Sequence, residues 1–569
     1  ERHDILTSHD NWGRNNIYNH SQGYIDYFRS QRWFSAPGFD DAGQRAVKDR
    51  NYYDTKIAAS IARLYQRPRV WNEGFHSSGW GRTTDQTLSW LAATYAFGAN
   101  LYDEHGLYYS LNASTWEHAA PDPHWNQPYW QYYHKISDWV ARASYLMAQG
   151  QAVADVAVHY PVASLLADRE RNDINYNEYM QLSRIIYDAG MDNDIIDDQS
   201  INQGIIENGK LSVRGNHYQA IVFGPQKTMR LAVLKKALEL AQNGGTIMFY
   251  GQLPTASVEN GRDDPELKAL LETILGTSSP GESVRKITAL HPNEGFAAFL
   301  PETANLIPSF LTAHIDRDFV PSEENVFMSH RKTGNLHIYL LQNTGDKPLQ
   351  LNARLRADGV PERWNPFSGE IKELEEFERK NGYTTISILL EGNLGEMIIL
   401  NPNKPTLKKE KAESSRWRWK EVAEHWDFSV IPTRDNRWGD FKWPPTNEKL
   451  GPEVRQFKYR EENGTDGMAQ GWHLPGLNDL DWEKVTYDQG PYWLAAENIP
   501  MGAEGIQRLI EKPEEIEAGK KFSAGDHSFS WREITFSQKT GAGTPAPWGG
   551  HSGYPDGHYN KNFIQLKEG

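Results

Sequence analysis

The stretch Arg69 to Ser110, RVWNEGFHSSGWGRTTDQTLSWLAATYAFGANLYDEHGLYYS, places two short apolar segments on either side of a helical one, and each apolar segment ends in carboxylates at a chain reversal. Arg69-Val70-Trp71 reads as a buried strand that ends at Asn72-Glu73-Gly74, where glycine lets the backbone turn sharply. Leu88 to Phe97 reads as a helix closed by Gly98, and Ala99-Asn100-Leu101-Tyr102 opens a second strand ending at Asp103-Glu104-His105-Gly106. The order strand, loop, helix, strand implies parallel strands with helical crossovers. In barrels of that kind, catalytic groups stand at the carboxyl ends of the strands.

Glu73 lies between Trp71 and Phe75, a partly apolar surround that raises a carboxyl pKa and suits a general acid at neutral pH. A salt bridge to Arg69 or Arg82 is the structural alternative. Asp103, Glu104 and His105 have three open uses: binding sugar hydroxyls, holding a calcium ion through oxygen ligands, or pairing with arginines. Trp116-Glu117-His118 and Asp122-Pro123-His124-Trp125-Asn126 form a further polar and aromatic cluster before a long helix. Stacked aromatics beside Glu, His and Asn are what a sugar pocket needs, and packing against that helix explains the tryptophans equally well. His9-Asp10-Asn11-Trp12 and Phe39-Asp40-Asp41 share the pattern with less certain strand placement.

Composition narrows the classes. A chain of 569 residues predicts three or four domains. A net charge of −15 repels a phosphate backbone, so nucleic acid is not an expected partner. The absence of cysteine excludes disulfides, thiolate metal sites and cysteine nucleophiles. No apolar run approaches the roughly 20 residues a spanning helix needs. With 20 Trp and 27 Tyr in a chain of mean hydropathy −0.70, platforms for sugar rings and large interdomain cores are equal explanations.

The expected fold class is multidomain α/β plus β. Residues 1–152 read as the later part of a (β/α)8-type catalytic barrel, closed by an amphipathic helix through Tyr133, Ile136, Val140, Ala143 and Met147. Residues 153–290 alternate strand and helix: Val153–Tyr160, helix Tyr179–Ala189, Ala220–Phe223, helix Met229–Gln242, Thr246–Tyr250, a flavodoxin-like α/β pattern. Residues 291–403 turn to period two, as in Leu336–Leu341 and Thr384–Leu390, which reads as a β-sandwich. Residues 404–569 hold a linker and a Trp/Gly/Pro-rich segment read as an incomplete jelly-roll of galactose-binding-like type. Its Trp438, Trp443, Trp493 and Trp548 are expected to serve sugar binding or packing rather than catalysis.

Several chemistries fail. No H-E-x-x-H occurs, and Gly74-Phe75-His76-Ser77-Ser78-Gly79 departs from the G-x-S-x-G elbow. Asp192-Asn193-Asp194-Ile195-Ile196-Asp197-Asp198 resembles a calcium loop but lacks its sixth-position glycine. No phosphate-cradling glycine pattern follows a strand of the second domain, so no cofactor is expected there. Its likeness to class I glutamine amidotransferases fails for want of a cysteine nucleophile.

The domain order together with Trp71-Asn72-Glu73-Gly74-Phe75, Gly98-Ala99-Asn100, His105 to Ser110, Ala154 to Pro161, Asn243-Gly244-Gly245, Gly251 to Pro254, Trp364 to Gly369 and Pro432 to Asp440 resembles glycoside hydrolase family 106, the inverting α-L-rhamnosidases. Strand-end glutamates and flavodoxin-like domains also occur in family 42. The resemblance implies an enzyme releasing terminal L-rhamnose from poly- or oligosaccharides in an extracytoplasmic (periplasmic or secreted) setting, with the general acid at Glu73. It also implies a base on an earlier barrel strand. Only 72 residues precede Glu73, too few for five strand–helix units of about 30 residues each, so the chain reads as the later part of a larger enzyme whose missing N-terminal part would be its partner. Within the chain, Glu104 or Asp103 is the substitute base. The expected substrate contacts are Asp103, His105, Trp116, Glu117, His118, His124, Trp125 and Asn126. The metal requirement is unknown, with Ca2+ the one cofactor considered. Another glycosidase such as a β-galactosidase, or a noncatalytic carbohydrate-binding fragment, are the alternative readings.

Overall fold

A computed structural model of the chain describes residues 5–9, 17, 20, 26–41, 52–75, 82–106, 129–167, 176–278, 284–286, 295–301, 304–405 and short stretches between 456 and 534. The described part is mixed α/β with several sheets.

Three parallel strands open it: β1 (Gly38–Asp41), β2 (Trp71–Gly74) and β3 (Leu101–Glu104). β2 starts two residues later than the apolar pattern predicts, because Asn100 captures the backbone of Val70. Its side-chain carbonyl accepts from Val70 N at 2.8 Å, and its own N–H donates to Val70 O at 3.2 Å. The crossover helix Thr84–Ala96 begins in a capping box, with Thr83 Oγ1 accepting from Gln86 N and Gln86 Oε1 from Thr83 N. It ends where Gly98 adopts φ +118° and packs so closely on Ala59 that a Cβ would stand 2.7 Å from it. The helix Tyr52–Leu64, which precedes β2, is buried along nearly its whole circumference. Tyr53, Ile57, Ile61 and Leu64 join the core of the second sheet, while Tyr52, Ala58, Ala59 and Ala62 join that of the first.

The second sheet orders five parallel strands as Asn193–Ile196, Val156–His159, Ala220–Phe223, Thr246–Tyr250 and Phe296–Leu300, with Val284–Lys286 antiparallel at the edge. Its central strands are buried at every position because helices cover both faces. The last parallel strand lies beyond residue 290, where the sequence pattern closes this unit, since Phe296–Leu300 hydrogen-bonds to Thr246–Tyr250.

Residues 319–401 build two antiparallel sheets that enclose one core, including Phe319, Leu341, Leu351, Ile388 and Ile398. The strand Gln151–Ala152 joins the larger of them through Arg331 and Lys332, a pairing that period-two reading alone does not show. Among the described residues after 405, the strands Gln456–Tyr459 and Glu483–Thr486 pair antiparallel, as do Tyr492–Ala495 and Lys521–Ala524 with His527–Ile534. Among the described residues no helix is long and apolar enough to cross a membrane.

Candidate active site

Strand register decides which carboxylates meet. Phe39, Asn72 and Tyr102 share one rung, Asp40, Glu73 and Asp103 the next, and Asp41, Gly74 and Glu104 the last. Successive side chains on a strand point to opposite faces. Asn72 is fully buried and its Nδ2 donates to Thr94 Oγ1 of the helix Thr84–Ala96 at 3.1 Å, so its rung faces that helix. A Cβ on Gly74 would lie 2.5 Å from the Trp90 ring of the same helix. The intervening rung therefore turns away from the helix, and Asp40, Glu73 and Asp103 line the other face at the carboxyl end of the strands. Neighbouring strands lie about 4.8 Å apart, so the row extends over roughly 10 Å. Asp103 is exposed, whereas Asp40 and Glu73 are half-buried.

Glu104 belongs to the helix-facing set. Its Oε1 accepts from Arg82 Nη2 at 2.8 Å, its Oε2 accepts from the Tyr133 hydroxyl, and its side chain is only 10% exposed. The Arg82 guanidinium in turn lies 3.6 Å from the centroid of the Phe75 ring, a cation–π contact in a buried setting. Phe75 holds φ +79°, a left-handed conformation that costs a bulky L-residue on the order of 1–3 kcal/mol and is retained where surrounding contacts dictate it. The Tyr102 phenol is pushed well up by burial and then by the charge of Glu104. Sequence reading pairs Glu73 with Glu104 first; the register pairs it with Asp103, and Arg82 and Tyr133 occupy the Glu104 carboxylate.

Of the other expected site residues, His105 continues the ladder, its N–H donating to Gly74 O at 3.0 Å. Arg69, the alternative partner for Glu73, donates to the carbonyls of Asn100 and Ser144. Trp116, Glu117, His118, His124, Trp125 and Asn126 lie outside the described residues. Asp40 joins the row without having been singled out as catalytic. Its signal was the apolar residue followed by two acids in Phe39-Asp40-Asp41, the same order as Tyr102-Asp103-Glu104. Among the described residues no group of three or more His, Asp or Glu is arranged to hold a metal ion.

The family model described as alpha-L-rhamnosidase, glycoside hydrolase family 106, matches residues 40–379, more than half of the chain. A curated protein of Formosa agariphila named "Putative beta-glucuronidase" is 24% identical over 248 residues, 43% of this chain and 19% of that protein. Among solved structures, a rhamnosidase from Novosphingobium sp. PP1Y is similar at 17% identity and a TM-score of 0.49, covering 83% of this chain and 44% of that one. A beta-galactosidase from Bacillus circulans sp. alkalophilus follows at 12% identity and a TM-score of 0.46, covering 70% and 64%. The chain thus spans less than half the length of the curated relative and of the rhamnosidase.

Proposed function

This chain belongs to glycoside hydrolase family 106, the α-L-rhamnosidases, and from that membership we propose that its parent enzyme hydrolyses terminal L-rhamnosides of poly- or oligosaccharides by acid and base catalysis with inversion. The observation that carries the reading is the single rung Asp40, Glu73, Asp103 at the carboxyl end of three parallel strands.

Glu73 takes the acid role and protonates the glycosidic oxygen as the bond to the anomeric carbon breaks. Asp103, solvent-exposed on the same face, takes the base role and removes a proton from the attacking water; Glu104 is the second candidate. The longer side chain of Glu73 lets the two carboxyls stand farther apart than their backbones, toward the roughly 6.5–9.5 Å an inverting pair needs to admit water. Arg82, Phe75 and Tyr133 hold Glu104 in place and so position the strand ends. His105 and the Trp116–Asn126 segment would meet the sugar. Nucleic acid and membrane spans have no part in this reading, and an extracytoplasmic, polysaccharide-degrading setting accompanies it.

The finer architecture follows the same reading. The three-stranded unit with its crossover helices is the later part of a (β/α)8 barrel, completed by chain from the parent enzyme. The second sheet, whose parallel strands run 2-1-3-4-5, is flavodoxin-like. Residues 319–401 are a β-sandwich, while most of the region in which a jelly-roll is expected lies outside the described residues. The direct test is a panel of aryl glycosides offered to the complete parent protein. Release from the α-L-rhamnoside alone supports the assignment, release from a β-galactoside replaces it, and no turnover with retained polymer binding marks a binding module.

A further inference from the structure

A cavity of about 270 Å³ lies at the other end of the parallel strands from Glu73. Its walls come from stretches far apart in sequence: the end of the helix Tyr52–Leu64 and the turn after it, Asn100 before β3, residues 150–152, Arg214 with Asn216, and Arg331. Four of the lining residues are arginines, Arg63, Arg67, Arg214 and Arg331, and among the described lining residues none is acidic.

The charges around it do not cancel. Arg63 pairs with Asp192 and Asp194 at 3.3 and 2.8 Å, and Lys56 pairs with Asp192, so those two cations meet two carboxylates. The other three guanidiniums donate to neutral oxygens. Arg67 Nε reaches Arg32 O at 2.8 Å. Arg214 reaches Leu64 O at 2.7 Å and Gln203 Oε1 at 2.5 Å, and Arg331 reaches Gln149 O at 2.7 Å and Gly150 O at 2.9 Å. Among the described residues no carboxylate pairs with these three half-buried cations, and carbonyl oxygens satisfy their hydrogen bonds without neutralising charge, so the cavity favours an entering anion. Burial and then the charge of Arg63 hold Arg331 down to about 9, in accord with a missing counter-charge.

We propose that this cavity is a binding site for a small oxyanion: sulfate, phosphate or the carboxylate of an acidic sugar. Guanidinium forks match the oxygens of such groups in pairs, and a cavity just under the roughly 300–1,000 Å³ of ordinary ligand pockets admits one charged group or one sugar residue rather than an oligosaccharide. The strands are four residues long, which puts the cavity about 10 Å from the carboxylate row. The site is therefore separate from the acid–base machinery, and it does not depend on the rhamnosidase reading. Because its walls come from the chain entering the first sheet, from the antiparallel meander Ile205–Glu207, Lys210–Val213 and Asn216–Tyr218, and from the larger antiparallel sheet, an occupant would also tie the three together.

Equilibrium dialysis of the unaltered chain against radiolabelled sulfate, competed with phosphate and with glucuronate, tests the proposal. Saturable binding of one equivalent per chain is expected, with affinity lowered about tenfold or more in R331Q and in R214Q, since each removes one charge-assisted donor pair. Circular dichroism checks that the variants are folded. R331K, which keeps the charge and loses the fork, should bind at an intermediate level. Stronger competition by glucuronate identifies a sugar carboxylate as the occupant, and stronger competition by phosphate identifies a tetrahedral oxyanion. No saturable uptake of any of the three by the unaltered chain, or equal uptake by folded R331Q and R214Q, overturns the proposal.

Discussion

Glu73 and Asp103 stand on the same rung of two neighbouring parallel strands, on the face opposite the helix that buries Asn72 and Gly74. Two carboxylates with unlike surroundings, one half-buried and one exposed, are the minimal equipment for acid–base hydrolysis.

Replacing Glu73 with Gln in the parent enzyme should lower turnover of natural glycosides about 10²- to 10⁴-fold, the usual worth of a positioned acid. Aryl rhamnosides with good leaving groups should lose much less, because they need little protonation in the transition state. Steady-state kinetics on both substrate types checks this, and equal losses would count against an acid role.

Asp103→Asn and Glu104→Gln should separate the two candidate bases. The first is expected to lower kcat by orders of magnitude with little change in melting temperature, since Asp103 is exposed. The second should lower stability by about 1–3 kcal/mol by weakening the buried Arg82 pair, with a smaller effect on kcat. The reverse pattern would return the base role to Glu104.

Gly74→Ala should destabilise the protein by about 1–3 kcal/mol, because the added methyl meets the Trp90 ring at 2.5 Å and pushes β2 off its helix. Glu73 moves with the strand, so activity at temperatures where the variant is still folded should also fall. Shortening the obstacle with Trp90→Leu should restore part of both, as read by thermal melts and rates on the double variant.

Lys56 is fully buried and its ion pair with Asp192 joins the helix Tyr52–Leu64 to the second sheet. Burial lowers its pKa, while Asp192 works in the opposite direction. Lys56→Met leaves Arg63 as the remaining cation on the buried Asp192 among the described residues and should cost about 3–5 kcal/mol in urea unfolding. The double variant with Asp192→Asn should recover part of that loss.

His337 is held down to about 4 in the folded chain, below its ordinary 6.5, by burial and then by His330 beside it. Between those values the unfolded chain binds the proton and the folded chain does not, so stability rises with pH across the window. The contribution is complete above about pH 6.5 and is lost as pH falls toward 4. Asp318 is also depressed, since His330 and Arg356 together outweigh the opposing effect of burial, and its contribution is lost at still lower pH. Chemical unfolding at stepped pH should give a shallower slope between pH 6.5 and 4 for His337→Gln than for the unaltered chain.

Much of this protein was legible from local pattern. Ala220–Phe223 and Thr246–Tyr250 form strands at the bounds their apolar runs predict, because a strand covered on both faces must be apolar throughout. The helix Thr84–Ala96 starts earlier than its apolar residues do, since Thr83 and Gln86 cap it with polar side chains. Parallel strands ending in carboxylates, and hence Glu73, followed from the alternation of apolar runs, a helix and glycine reversals. The small antiparallel meander over Ile205–Tyr218 and the crossing of Gln151–Ala152 into the later sheet did not, because their partners are set by packing rather than by periodicity.

By itself, then, the sequence determined the order of elements, the buried faces and the carboxylates at the strand ends, since these depend on spacing along one chain. Only the tertiary structure decided which carboxylate stands beside Glu73. Shifting a strand by one residue turns every side chain to the opposite face, and Asp103 and Glu104 are one residue apart. The register set by Asn100 on Val70 and by Trp90 in the space above Gly74 turns Asp103 to the face of Glu73 and gives Glu104 to Arg82. The gathering of Arg67, Arg214 and Arg331 around one cavity is of the same kind: their spacing along the chain carries no signal, and packing of the turn after the helix Tyr52–Leu64, the meander over Ile205–Tyr218 and the strand Val326–Thr333 brings them together.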